Sequence, residues 1–227
     1  MNTRLILRFA FRESLGAIMA GVALFWSAGR LDWWPGWEMV ALLLVWTVAT
    51  AVVILRTSPD LLAERLGPRK GAKPWDTAIL GVVGLATLGR LIIAGLDQRF
   101  GWTGGFPLGT QIGALALCGL GYALVVWATA SNAYFSQVVR IQSERGHAVA
   151  AGGPYQWVRH PAYLGMILFE LMASFFLASW WAFIPSVLNA ALYVLRTALE
   201  DQALQSDLAG YADYARQVRY RLVPAIW

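Results

Sequence analysis

Long apolar runs separated by short clusters of charge set the pattern of this chain. Crossing the hydrocarbon core of a bilayer takes about 20 apolar residues as a helix. Six runs approach that length: 15–28, 37–55, 77–96, 108–130, 163–178 and 181–195. The first, fifth and sixth are short, and only Ser179 and Trp180 separate the fifth from the sixth. Those two therefore read as a tight antiparallel hairpin. A lipid-exposed sheet edge would leave backbone groups unpaired, so the pattern argues for helices. The expectation is an all-α integral membrane protein of five to six transmembrane helices.

The distribution of charge then orients the helices. With the first residues inside, the cytoplasmic side receives Arg4, Arg8 and Arg12, then Arg56, Arg65, Arg69, Lys70 and Lys73. It next receives Arg140, Arg145 and Arg159, and finally Arg196, Arg216, Arg219 and Arg221. Fifteen of the 18 Lys and Arg fall there; Arg30 and Arg99 fall outside, and Arg90 lies in the third run. Such asymmetry predicts both termini in the cytoplasm, as for a protein of a cell's inner membrane. It also explains the net charge of +5 without nucleic acid. Trp33, Trp34, Trp37, Trp102, Trp180 and Trp181 gather at the expected outer ends, as an interfacial aromatic belt does.

Composition agrees. The chain is 58% hydrophobic and 14% charged, against about 25% charged in soluble domains. No small-residue cleavage site follows the first apolar run, which reads as a retained helix rather than a leader. The loop 57–76 carries Pro59, Pro68 and Pro74 and reads as a surface segment with a short helix at 60–66 after Ser58-Pro59. Gly109 and Gly113 form a small-xxx-small pattern suited to helix packing. A lone Cys118 and two histidines leave no metal-site pattern.

Candidate chemistry concentrates in residues 132–227, after an N-terminal set of helices in 1–131. Both histidines, His147 and His160, fall in one cytoplasmic segment. Gly152, Gly153 and Pro154 form a turn able to bring backbone close to a ligand. Arg159 and His160 precede Pro161, a favoured first residue of a helix. They sit where unpaired N–H groups face outward, although alone the pair reads first as an interfacial anchor. Glu170, two turns into the fifth run, is a carboxylate at membrane depth. Such a group faces either a cavity or a structural partner, and both readings stand. Arg196 and Glu200, four apart, share a helix face, as an ordinary ion pair does. The hairpin nevertheless returns them to the membrane face where Arg159 and His160 lie. The tail 211–221 is amphipathic and suited either to covering that cluster or to lying on the membrane surface.

In order and spacing, Gly153-Pro-Tyr-x-x-Val-Arg-His-Pro-x-Tyr-x-Gly165, Arg196-x-x-x-Glu200-Asp201 and Gly210-Tyr-x-x-Tyr214 resemble the isoprenylcysteine carboxyl methyltransferase family. That family belongs with the membrane phospholipid N-methyltransferases. The resemblance covers about the last 90 residues; the earlier runs match in character only. It implies S-adenosyl-L-methionine as cofactor, bound by a pocket at the cytoplasmic ends of the last helices. In agreement, no G-x-G-x-x-G follows a strand. Carried across, His147, Ala148, Val149 and Ala150 line the cofactor. Tyr155 and the stretch Arg159, His160, Pro161, Ala162 and Tyr163 complete its pocket, and Glu200 holds its amino group. Arg196 faces the substrate and its carboxylate. The family often has Glu-Glu where this chain has Glu200-Asp201.

The implied substrate is lipophilic: a prenylated or other hydrophobic carboxylate, a phospholipid amine, or a small thiol, with membrane lipids as surroundings. A carboxylate needs no base, whereas an amine or thiol must lose a proton, for which Glu170 or His160 is the candidate. Two other classes compete. NADPH-dependent sterol-type reductases share an Arg-His-Pro element but follow it with Asn-Tyr and Gly-Glu, where this chain has Ala162 and Met166. A transporter or non-enzymatic scaffold would use Glu170 in an ion path.

Overall fold

A computed structural model describes residues 3–67 and 71–227. Pro68, Arg69 and Lys70 of the basic loop, and Met1 at the start, lie outside the described residues. Eight α-helices form, with no strand among the described residues. They are α1 (Thr3–Ala28), α2 (Trp34–Thr57), α3 (Asp60–Leu66), α4 (Pro74–Phe100), α5 (Leu108–Ala130), α6 (Pro161–Phe176), α7 (Trp180–Asp207) and α8 (Tyr211–Gln217). Prolines at the starts of α2, α4 and α6 set the helical φ where no intrahelical donor is needed. Ser179 caps α7, its hydroxyl accepting from the Ala182 N–H at 3.1 Å.

The six long helices pack as a closed ring in the order α1, α2, α5, α6, α7, α4 and back to α1. Exposed Val45, Leu85, Leu120 and Ile184 point outward, a surface that suits lipid rather than water. Two crossings require glycine. A Cβ at Gly121 of α5 would stand 2.6 Å from the Gly165 carbonyl of α6, and one at Gly95 of α4 would stand 2.6 Å from the Leu24 carbonyl of α1. Gly109 and Gly113, the expected packing pair, face open space instead. The buried stripe of α5 is Ala114, Cys118, Gly121, Tyr122 and Val125, and Gly113 is turned about 100° from it.

Four helices, α2, α4, α5 and α7, are long and apolar enough to cross a membrane. Of the six expected spans, α6 is apolar but has 16 residues, about 24 Å at 1.5 Å per residue. α1 is long, but its first half carries Arg4, Arg8, Arg12 and Glu13. The hairpin forms as expected: Leu177–Ser179 turn the chain, and the Ser174 and Ser186 hydroxyls meet at 2.7 Å across it. α7 runs three turns beyond the expected limit at Leu195. The apolar run ends there, but helix propensity and one buried face continue through Thr197 and Asp201.

Inside the ring, Glu170 pairs with Arg90 at 3.0 Å, both nearly fully buried. The Asn189 amide donates to the same carboxylate at 2.9 Å and to Thr87 at 3.0 Å. This cluster joins α4, α6 and α7. An ion pair at membrane depth joins the helices that supply it, the kind of partner that the structural reading of Glu170 calls for.

Candidate functional site

A cavity of about 590 Å³ opens at the end of the ring where α2, α5 and α7 finish and α4 and α6 begin. Residues near both ends of the described chain lie at this end: Arg12 donates to the Arg65 carbonyl at 2.7 Å, and the Arg159 N–H to the Tyr220 carbonyl at 2.9 Å. The cavity is within the size range of small-molecule sites, about 300–1,000 Å³.

The segment after α5 forms one wall. Buried Gln142 donates from Nε2 to the Tyr134 carbonyl at 2.7 Å, closing the loop on itself. Its backbone N–H donates to Nδ1 of His147 at 3.2 Å, so the ring proton of His147 sits on Nε2. The imidazole stacks on Tyr134, centroids 4.6 Å apart. Burial, then the nearby Arg145 and Arg140, hold its pKa below the ordinary value and keep it neutral. His147, Ala148, Val149 and Ala150 all line the cavity. The segment is pinned from outside by Arg140, which grips Glu64 of α3 at 2.8 and 2.6 Å. That grip lowers the Glu64 pKa and raises that of Arg140.

The start of α6 supplies Arg159, His160, Ala162 and Tyr163 to the lining; Pro161 is buried beside them but does not line it. The Arg159 guanidinium makes four hydrogen bonds within the protein. It meets both oxygens of Asp201 at 2.7 and 2.9 Å and donates to the carbonyls of Val218 and Arg219, each at 2.8 Å. Asp201 also accepts from Arg221 at 2.8 Å, Gln205 at 2.9 Å and Tyr211 at 3.0 Å, with His160 at 3.3 Å. This carboxylate thus ties α6, α7, α8 and the tail into one unit. Sequence reasoning registered Asp201 only as a departure from Glu-Glu. The available signal was its place beside Glu200, since neighbours on a helix face about 100° apart.

Glu200 points the other way, into the cavity, where the Tyr163 hydroxyl is its hydrogen-bond partner. Arg196 and Glu200 share a face as expected but do not pair with each other. Arg196 bonds instead to Asp76 of α4 at 2.6 and 3.3 Å, and to the Gln137 carbonyl at 3.0 Å. Its guanidinium lies over the Tyr163 ring, 5.1 Å from the centroid. Asp76, unnoticed in the sequence, also accepts the Val139 N–H at 2.7 Å. It therefore fixes Arg196 and the cavity wall together.

Tyr155 lines the cavity, and its carbonyl accepts from the Tyr214 hydroxyl at 2.7 Å, so the tail does cover this cluster. Glu170 does not line the cavity; it remains with Arg90 in the ring interior. The lining is also not confined to residues after 131, since Trp46, Thr50, Arg65, Thr77, Leu80 and Gly81 contribute. The polar set suits a nucleoside that carries a free amino-acid end. Glu200 offers a carboxylate with a hydroxyl partner and no ion pair among the described residues, and Tyr155 and His147 offer flat faces.

Fold and site together define an all-helical integral membrane protein with a ligand cavity at one end of its helical ring. Residues 114–206 match the model of the isoprenylcysteine carboxyl methyltransferase (ICMT) family. A solved structure of the eukaryotic intramembrane Ras methyltransferase ICMT, isoprenylcysteine carboxyl methyltransferase, shares this fold. The match has a TM-score of 0.55 at 18% identity and covers 91% of this chain and 68% of that one. No curated protein matches the chain.

Proposed function

We propose that the protein is an S-adenosyl-L-methionine-dependent methyltransferase of lipophilic substrates, most like an isoprenylcysteine carboxyl O-methyltransferase. All six long helices lie in a cell's inner membrane with the cavity on the cytoplasmic face, and residues 132–227 form the core of the cofactor site. One observation carries this reading. Of the eleven residues that the resemblance assigns to the cofactor, all but Pro161 line one cavity, although they come from three separate stretches of sequence.

The cofactor brings a sulfonium methyl, already a strong electrophile, so the protein's tasks are positioning and exclusion of water. Glu200 takes the ammonium of the amino-acid end through a charge-assisted bond, oriented by the Tyr163 hydroxyl. His147 donates from Nε2, and Ala148, Val149 and Ala150 shape a narrow apolar strip. Arg196, fixed by Asp76, faces the substrate side, placing positive charge where an acceptor carboxylate approaches. A carboxylate acceptor needs no base there, in keeping with Glu170 standing apart with Arg90.

The test is incubation of membranes containing the protein with methyl-labelled cofactor, followed by separate extraction of lipids and proteins. Base-labile label on a lipophilic carboxylate is expected. Label confined to phospholipid amines or thiols would overturn the carboxyl assignment, and no label in any fraction would overturn methyl transfer.

A further inference from the structure

One wall of the cavity carries polar groups that the site described above does not use. Four arginines line the cavity, and three of them face a carboxylate: Arg140 with Glu64, Arg159 with Asp201 and Arg196 with Asp76. Arg65 of α3 forms no ion pair among the described residues. Its Nε and Nη2 reach only the Phe135 carbonyl, both at a long 3.3 Å. Burial pushes its pKa down to about 10, only partly offset by the charge of Glu13, and its guanidinium lies over the Phe135 ring, 5.4 Å from the centroid.

On α2, one turn apart, lie Thr50 and Trp46, both lining the same cavity as Arg65. Thr50 is 4% exposed, yet its hydroxyl has no hydrogen-bond partner. Other helical threonines in this protein bond back one turn: Thr57 to Val53, Thr129 to Val125 and Thr197 to Tyr193. Thr50 forgoes that local option. The Trp46 ring is stacked on Tyr122 at 4.7 Å, but its buried Nε1–H is likewise unpartnered. A buried donor left unpaired costs about 1–3 kcal/mol, and two of them in one cavity with a guanidinium that has no ion pair among the described residues is an arrangement that a ligand would relieve.

We propose that Arg65, Thr50 and Trp46 form a carboxylate seat on the α2–α3 wall of the cavity. The inference rests on the methyltransferase reading and deepens it. A planar guanidinium fork and two neutral donors suit an oxygen anion that only accepts hydrogen bonds, and a single negative charge balances the one cavity-lining arginine without an ion pair among the described residues. Two carboxylates offer this chemistry: that of the methyl acceptor and that of the cofactor's amino-acid end.

The experiment uses purified full-length protein and the variants Arg65→Gln, Thr50→Val and Trp46→Phe. Calorimetry with S-adenosylhomocysteine reads the cofactor arm. Transfer of labelled methyl to N-acetyl-S-farnesylcysteine reads the acceptor arm. Thr50→Val removes a hydroxyl with no internal partner, so that free variant should melt no lower than wild type; Trp46→Phe also removes ring atoms stacked on Tyr122 and is read by its binding constants. A seat for the acceptor raises KM for the farnesyl probe by about tenfold or more at unchanged S-adenosylhomocysteine affinity, the size of one lost charge-assisted bond. A seat for the cofactor weakens S-adenosylhomocysteine by the same factor. Arg65→Lys, keeping charge without the fork, should recover part of either loss. Variants that leave both constants unchanged, with or without a lower melting point, overturn the seat. Wild-type protein that binds no S-adenosylhomocysteine overturns the methyltransferase reading itself, and the seat with it.

Discussion

Arg196 of α7 reaches Asp76 at the first turn of α4, Nε to Oδ1 at 2.6 Å, with the carboxylate wholly buried. The 120 residues between them make this a tertiary bolt rather than a local pair. Because Asp76 also holds the Val139 N–H, the same carboxylate positions a charged side chain and the wall opposite it. Asp76→Ala leaves a buried guanidinium without its anion. A loss of about 3–5 kcal/mol is expected, as for breaking other buried pairs. Thermal unfolding in detergent checks it: a large drop in melting temperature is expected, and a melting point equal to wild type would contradict the bolt.

Glu170 and Arg90 should behave as structure, not as catalysts. Glu170→Gln is expected to lower stability while leaving S-adenosylhomocysteine affinity and the acceptor KM unchanged. The double variant Glu170→Leu with Arg90→Met should recover most of that stability, since an apolar pair of similar volume often replaces a buried ion pair at no cost. A fall in turnover of Glu170→Gln without loss of stability would return Glu170 to the active site.

His147 gives the site a pH dependence of definite sign. Its folded pKa lies below the ordinary value, chiefly through burial. Below about pH 6.5 the unfolded chain therefore binds more protons than the folded one, and stability rises with pH. The contribution is complete above the unfolded pKa and is lost as pH falls toward the folded value. Protonation at Nδ1 also ends its acceptance of the Gln142 N–H. Melting temperature and S-adenosylhomocysteine affinity should both fall on acidification from about pH 7.5 to about pH 5.5. His147→Phe should flatten the dependence in that window; an equally steep fall in the variant would assign it to another group.

Apolar run length made the helices and the hairpin legible, because lipid imposes a solvent constraint that composition reports directly. The ordered Gly153–Gly165 and Arg196–Asp201 elements made most of one cavity wall legible, because those spacings are local. What remained hidden was long-range. Asp76 and Asp201 are ordinary acids in the sequence, and only folding sets them against arginines 120 and 42 residues away. The Arg90 partner of Glu170, 80 residues distant, was hidden for the same reason. The last three turns of α7 were hidden because they leave the apolar interior while remaining helical. The Gly109–Gly113 pattern was legible but misplaced, since spacing alone does not say which face of α5 meets a neighbour.

The central claim is that Glu200, turned into the cavity beside Tyr163, holds the amino group of the cofactor. Calorimetric titration of purified protein with S-adenosylhomocysteine tests it most directly. Binding to wild type is expected, with affinity about tenfold or more weaker in Glu200→Ala, a smaller loss in Tyr163→Phe, and none in Glu170→Gln. Equal affinity in wild type and Glu200→Ala would contradict the account.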